Sequence, residues 1–225
     1  MTATAVPTSV TAHHETLVER YAKMAHTFEP RPVDRVLRGF DVALAGIALV
    51  VLSPVLALAA VAVATTGRPI LYRGLRVGRR GAIFTMFKFR TLAADAEHRI
   101  GPFYGPELTE LTSAEQTRVG KMLRATKVDE LPQLWNVVRG DMSIVGPRPI
   151  RPKFFEDLCL EIPAYWQRLV VRPGVTGFAQ LRLGREESWA EKLAHDFEFI
   201  ADRSIGLYLD VVTKTALYVL GQRSQ

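Results

Sequence analysis

Asp129 and Glu130 are adjacent carboxylates that follow a run of cations, Arg118, Lys121, Arg124 and Lys127. Carboxylates kept ionised beside positive charge can attack an electrophile or bind a hard divalent cation. The residues that follow carry helix punctuation, from Leu131-Pro132-Gln133-Leu134-Trp135-Asn136 to Val137-Val138-Arg139-Gly140. Pro132 is tolerated only in a first turn, which makes Asp129 the expected N-cap and Gly140 the expected C′ residue. Leu134, Val137 and Val138 supply a buried stripe. The helix dipole and the cations predict carboxylate pKa values below the ordinary range. A purely architectural reading covers the same residues: Asp129 caps the helix and Glu130 complements its dipole.

Four further cations are candidates for gripping phosphate. Along Ala82–Leu92, Lys88 and Arg90 fall on one strand face and Phe87 and Phe89 on the other. A solvated outer face is the competing account of those two cations. Arg148 stands between Pro147 and Pro149, and a fixed backbone reduces the entropy lost when a guanidinium engages a phosphate. Arg172, ahead of Pro173-Gly174, follows the same logic. His195 and Asp202 have no evident partner and read as structural, and Cys159 reads as a small buried hydrophobe.

The elements that must position these residues begin with an apolar run from Val42 to Ala64, broken by Ser53-Pro54 and long enough to reach across a bilayer. Arg31, Arg35 and Arg38 precede it, and Arg68, Arg73, Arg76, Arg79 and Arg80 follow. Basic flanks stay cytoplasmic, so a simple span leaves one flank on the wrong side. The expected form is a re-entrant helix–break–helix hairpin, with the Ser53 hydroxyl serving a carbonyl freed by Pro54. A Pro-kinked transmembrane helix satisfies the backbone equally well and stays open.

Beyond the run, Ile70–Val77 and Ala82–Leu92 read as a hairpin around Gly78-Arg79-Arg80-Gly81. A short helix is expected over Ala93–His98, a loop over Gly101–Leu111, and a helix to Arg124 opened by a Ser113/Gln116 capping box. Asp141–Val145 reads as extended, Pro152–Leu169 as a helix kinked at Pro163, and Arg172–Gly177 as a turn. In that kinked helix, Phe154, Phe155, Leu158, Ile162 and Trp166 share one side, suited to a membrane interface or an ordinary core. Ser188 with Glu191 caps a helix to Asp202, and Ile205–Leu220 is an amphipathic helix. The fold class is therefore α+β and mainly helical: a small body with a short β-hairpin, the re-entrant element and interfacial amphipathic helices. Three segments are expected: a polar tail over 1–30, a re-entrant membrane helix with its basic flank over 31–66, and a cytosolic domain over 67–225 that lies on the membrane and carries the candidate site.

The formal charge of +6 and pI near 9.7 point to an anionic partner. Phosphates and a lipid surface fit; nucleic acid does not, with no zinc-finger spacing, RNP motif or basic recognition helix. One cysteine excludes internal disulfides. The tail has no apolar stretch resembling a secretory signal, and its His13, His14 and His26 lack ligand spacing.

Several long motifs in one order resemble the bacterial sugar transferase family, the monotopic phosphoglycosyl transferases. They are Phe87-Lys88-Phe89-Arg90-Thr91, Asp129 through Val137, Arg139-Gly140-Asp141-Met142-Ser143, Val145-Gly146-Pro147-Arg148-Pro149 and Arg172-Pro173-Gly174-Val175-Thr176-Gly177. The resemblance covers Val33 to Leu220. It implies transfer of a sugar-1-phosphate from a UDP-sugar to polyprenyl (undecaprenyl) phosphate, at the cytoplasmic face of a bacterial inner membrane, as the first membrane step of glycan assembly. It makes Asp129 a nucleophile that forms a phosphosugar–enzyme with release of UMP. It also makes Asp129 and Glu130 holders of Mg2+, with Glu130 alternatively orienting the acceptor phosphate. Lys88, Arg90, Arg148 and Arg172 become substrate-binding, Arg148 and Arg172 nearest the nucleotide, and a homodimer is left open.

Three departures stand out. Thr112–Arg118 replaces an acidic loop found in many members, Asp196-Phe197-Glu198-Phe199-Ile200 replaces a tyrosine-bearing stretch, and Arg203-Ser204 replaces a Trp-Ser pair. The single membrane segment matches the minimal catalytic form. A catalytically silent membrane adaptor that binds anionic lipid or nucleotide is the alternative, and the intact Asp-Glu pair argues against it.

Overall fold

The computed structural model describes residues 31–94, 96, 111–183 and 187–221. The expected tail, residues 101–110 of the expected loop and residues 95, 97 and 98 lie outside them; of the helix expected over Ala93–His98, Ala93 and Ala94 are not helical and Ala96 is.

Helix α1 (Pro32–Val51) starts with proline at a position that needs no donor, and Asp34 accepts from the Arg31 amide at 2.8 Å. It meets α2 (Ser53–Ala64) at Leu52 with a bend of 63°. Pro54 has no N–H for the carbonyl of Val50, and the Ser53 hydroxyl donates to that carbonyl instead, at 2.8 Å. Among the described residues no single helix is long and apolar enough to cross a membrane, whereas this bent pair together is. Ile47, Val50, Val51, Val55, Leu58 and Val61 are exposed around the bend, a contiguous apolar surface that water does not favour.

Strands β1 (Leu71–Val77) and β2 (Ile83–Phe89) form the expected antiparallel hairpin, with Tyr72 opposite Lys88 and Arg76 opposite Phe84. The turn takes positive φ at Arg80 and Gly81. Helix α3 (Arg118–Ala125) begins later than the Ser113/Gln116 pattern suggests, because Thr117 is the cap and accepts from the Gly120 amide at 2.9 Å. Gln116 is drawn into an extended bridge with Leu92 instead. Gly120 lies against the Thr91 carbonyl, where a Cβ would overlap backbone.

Helix α4 (Gln133–Arg139) ends as expected at Gly140 with φ 97°. Strand β3 (Ser143–Val145) follows and pairs in parallel with β4 (Gly174–Thr176), a segment the sequence reads as a turn. The pairing depends on two glycines, since a Cβ on Gly174 would overlap the backbone of Gly146. Between them, α5 (Pro152–Glu161) stops at Ile162 and a 3-10 stretch, Pro163–Val170, replaces the expected kinked helix. Leu158 and Tyr165 are buried there, while Trp166 is half exposed and leaves the expected apolar side. A short α6 (Phe178–Arg182), α7 (Trp189–Asp202) with its Ser188 cap, and α8 (Ile205–Gly221) complete the chain.

The main core joins Leu37 of α1 to Val145, Leu158, Tyr165, Phe197, Ile200 and Tyr208. A second cluster packs Ala45 of α1 against Phe84, Met86, Leu134 and Val137, and a third packs Ala59 and Val63 of α2 against Phe89 and Leu123. Polar joints tie the bent pair to this body. Asp41, almost wholly buried, accepts from the Ile144 amide (2.8 Å) and from the Ser143 and Tyr208 hydroxyls (2.9 Å each). Arg38 donates to the carbonyls of Val137 (2.7 Å) and Val138 (3.0 Å), closing the end of α4. Buried Arg203 pairs with Asp34 at 2.7 Å, linking the end of α7 to the start of α1.

Asp41→Ala leaves three buried donors without their acceptor and should cost about 2–4 kcal/mol, against about 1 kcal/mol for Tyr208→Phe, which removes one. Denaturation of the detergent-solubilised protein measures both. Equal small losses would show that Asp41 is not the joint between these elements.

Candidate active site

Lys127 takes a left-handed conformation (φ 58°) and turns the chain into a 3-10 segment, Val128–Glu130, before α4 starts at Gln133. The expected single helix capped by Asp129 is therefore not what forms. The Leu131 amide closes on the Val128 carbonyl at 3.2 Å, Pro132 has no amide to give, and Pro132 itself is the N-cap of α4. Asp129 is released from capping. Its side chain is buried, and Oδ1 accepts no hydrogen bond among the described residues. A buried carboxylate oxygen without a donor is costly, and such a cost is tolerated at functional positions.

Glu130 has the opposite surroundings. Lys88, from β2, donates to its Oε1 at 2.7 Å. The register of that pair is set by Asn136, which is fully buried. Its Oδ1 accepts from the Phe87 amide at 3.0 Å, and its Nδ2 donates to the Thr85 carbonyl (2.7 Å) and to Asp141 (3.1 Å). The amide thus pairs with the edge of β2 as a further strand would, holding α4 against the strand that carries Lys88.

The two carboxylates titrate in opposite directions, contrary to the common lowering expected from the dipole and the cations. Burial, and next the charge of Glu130, push Asp129 above the usual carboxylate range, against the pull of Lys88, Arg124 and Lys127. Burial also works against ionised Glu130, but Lys88 and Arg148 outweigh it and hold that group below its ordinary value. One carboxylate is a fixed anion inside an ion pair; the other is unpaired and more basic. The unpaired one is suited to nucleophilic attack or to a cation.

Arg148 completes the group. The backbone around it is fixed on several sides: the Gly174 amide donates to the Pro147 carbonyl (2.9 Å), Arg168 to the Arg148 carbonyl (2.9 Å), and the Val77 amide to the Ile150 carbonyl (2.9 Å). Arg168 is itself locked by a buried ion pair with Asp196 at 2.8 Å. Against this rigid frame the Arg148 side chain is exposed and within electrostatic reach of Lys88 and Glu130.

The other two cations lie elsewhere. Arg90 is buried and donates to the carbonyls of Pro69, Leu92 and Gly67 (2.7 Å each) and to Thr66 Oγ1 (3.1 Å). Its fork is occupied by the turn that joins α2 to β1, so it does not share a phosphate seat with Lys88. Arg172 donates to the Gly140 carbonyl at 2.9 Å, beside Arg38 and Arg79. That is the far end of α4, roughly 10 Å along the helix from the carboxylates. Asp129, Glu130, Lys88 and Arg148 are brought together; Arg90 and Arg172 are not. A cleft of about 460 Å³ lies on the opposite face of the hairpin, lined by Arg73, Leu75, Phe87 and Arg139, and contains neither carboxylate.

Asp129 Oδ1 is an acceptor of the kind a hard cation takes, and Glu130 lies beside it. Among the described residues no group of three or more His, Cys, Asp or Glu side chains converges. Mg2+ usually binds through one or two carboxylates, with waters and substrate phosphates filling the remaining positions, so this donor set fits it.

Comparisons with known proteins identify the family of the chain. A family model described as bacterial sugar transferase matches residues 33–222. A UDP-N-acetylgalactosamine-undecaprenyl-phosphate N-acetylgalactosaminephosphotransferase of Aeromonas hydrophila is 34% identical over 92% of this chain and 50% of its own length. A UDP-glucose:undecaprenyl-phosphate glucose-1-phosphate transferase of Caulobacter vibrioides is 38% identical over 81% of the chain and 69% of its own. The exopolysaccharide production protein ExoY of Rhizobium meliloti is 34% identical over 79% of the chain and 82% of its own. The chain thus spans half of one relative and most of another. With a family match running almost from the first described helix to the last, the chain belongs to the bacterial sugar transferase family.

Proposed function

We propose that this protein transfers a sugar-1-phosphate from a UDP-sugar to polyprenyl phosphate, with Asp129 as nucleophile. The observation that carries the reading is the unpaired, buried Asp129 carboxylate beside a Glu130 already neutralised by Lys88. The names of the relatives supply the substrate class.

In the first step an Asp129 oxygen attacks the sugar-bearing phosphorus, and the bond from that phosphorus to the bridging oxygen breaks. The oxygen and its electron pair leave with UMP. In the second step an oxygen of the polyprenyl phosphate attacks the same phosphorus and expels the Asp129 carboxylate, giving the polyprenyl diphosphate sugar. Two displacements let one site serve two anionic substrates in turn. Lys88 holds Glu130 as an anion and keeps it from competing for the phosphorus. Arg148, its backbone pinned, grips phosphate oxygens at little entropic cost. Asp129 and Glu130 would hold Mg2+, which supplies neutralisation of diphosphate charge when bound. Arg90 and Arg172 serve as braces, Arg90 of the α2–β1 turn and Arg172 of the α4 terminus.

The bent pair α1–α2 is read as a re-entrant membrane element, with both basic flanks on the cytoplasmic side. Its 63° bend, satisfied Val50 carbonyl and exposed apolar rim support that reading.

The deciding experiment measures UMP release from a panel of UDP-sugars by detergent-purified protein with undecaprenyl phosphate and magnesium. Asp129→Asn should keep its fold and lose more than about a thousandfold in rate; retained turnover would remove the nucleophile role. Arg90→Lys should lower the melting temperature with KM unchanged, whereas Arg148→Lys should raise KM with the fold intact; the reverse pattern would restore Arg90 to the site. For topology, Arg35→Cys and Arg80→Cys in a Cys159→Ser background should both label from one side of sealed vesicles. Labelling from opposite sides would establish a crossing.

A further inference from the structure

The hairpin face that carries Lys88 holds one more cation. Residues directly opposite in an antiparallel pair share a face, so Tyr72, Gly74 and Arg76 of β1 lie on the same side as Lys88, Met86 and Phe84 of β2. Gly74 matters here. A Cβ at this position would overlap the Tyr72 ring, so the missing side chain lets that ring lie along the strand toward Arg76. The Tyr72 hydroxyl is the group that most favours the charged form of Arg76, while burial, then Arg151 and Arg148, work against it. One N–H of the Arg76 guanidinium is used by the carbonyl of Leu75 at 2.7 Å. Among the described residues no carboxylate pairs with Arg76 or Arg148. The bridge between Val77 and Ile150 explains why these arginines converge, since it lays the proline-clamped loop along β1.

Like charges held together on pinned backbones are unfavourable until an anion arrives between them. Lys88 is satisfied by Glu130, whereas among the described residues neither Arg76 nor Arg148 has a carboxylate within ion-pair distance. We propose that Arg76, oriented by Tyr72 lying across Gly74, forms with Arg148 a second phosphate seat beside the Asp129–Glu130 pair. The inference rests on the proposed reaction only for the choice of ligand. The seat takes a phosphate group, either of the nucleotide donor or of the lipid acceptor, and Arg76 is a substrate-binding residue in either case.

The first arm of the test titrates inorganic pyrophosphate into the full-length, detergent-solubilised protein by calorimetry. Arg76→Gln should weaken binding by about tenfold or more, equivalent to about 1.4 kcal/mol. Tyr72→Phe and Gly74→Ala should weaken it by less, and Arg73→Gln, on the other hairpin face, should leave it unchanged. Equal affinity in wild type and Arg76→Gln, or an equal loss in Arg73→Gln, overturns the seat. The second arm follows UMP release. A KM increase of similar size in Arg76→Gln for the UDP-sugar assigns the seat to the donor, and one for undecaprenyl phosphate assigns it to the acceptor; no change in either overturns the assignment. If wild type releases no UMP from any donor yet binds pyrophosphate through Arg76, the reaction fails and the seat stands.

Discussion

The side-chain amide of Asn136 is the contact on which the rest of the site depends. It faces the free edge of β2 and accepts from one strand amide while donating to a strand carbonyl two residues away. A helix and a strand have no natural hydrogen-bonding register with one another, and this amide creates one. Because Lys88 lies on the strand and Glu130 immediately before the helix, their 2.7 Å ion pair inherits that register. A slip by one strand residue would turn Lys88 to the other face of the hairpin. The same helix is closed at its far end by Arg38 and Gly140, so its position is fixed from both ends.

The electrostatic design separates two chemically similar groups by their surroundings. Glu130 receives a cation from a strand, and Asp129 receives desolvation and a negative neighbour. Neither sequence position nor the basic run ahead of the pair distinguishes them; the 3-10 turn does, by withholding from Asp129 the backbone amides that an N-cap would have enjoyed. The left-handed Lys127 that starts the turn is a local strain located two residues before Asp129.

Much of the architecture was legible in the chain. Alternating patterns around a Gly-Arg-Arg-Gly turn marked the hairpin, Ser188 marked α7, Gly140 ended α4, and Ser53-Pro54 marked the bend. The carboxylate pair and Arg148 were likewise legible, from motif and punctuation. What failed did so for long-range reasons. Arg90 carries the same charge as Lys88 two residues away, yet the chain ends its strand there and the α2–β1 turn surrounds the guanidinium with carbonyls. Arg172 reads as a loop cation and is taken up by the end of a helix distant in sequence. β4 starts at the second residue of a turn signal, Pro173-Gly174, and becomes a strand only because Gly146 allows the close approach. Asp41 and the Arg168–Asp196 pair have no local sequence signal, and Asn136 has one, a polar residue on the buried side of a short apolar helix.

The corner at Leu52 has a consequence for the bent pair itself. A proline bend commonly leaves an unmet carbonyl, which draws in water and lets the two arms swing. Here the Ser53 hydroxyl meets the Val50 carbonyl from within the corner, and exposed apolar side chains surround it. Both arms are tied to the body, α1 through Arg38 and Asp41 and α2 through Ala59 and Val63. In the membrane reading, this doubly tied bent pair sets the stand-off between the Asp129 carboxylate and the headgroup plane. The reach required of a phosphate on a long hydrocarbon tail is then written into the chain geometry, with tail flexibility supplied by the lipid.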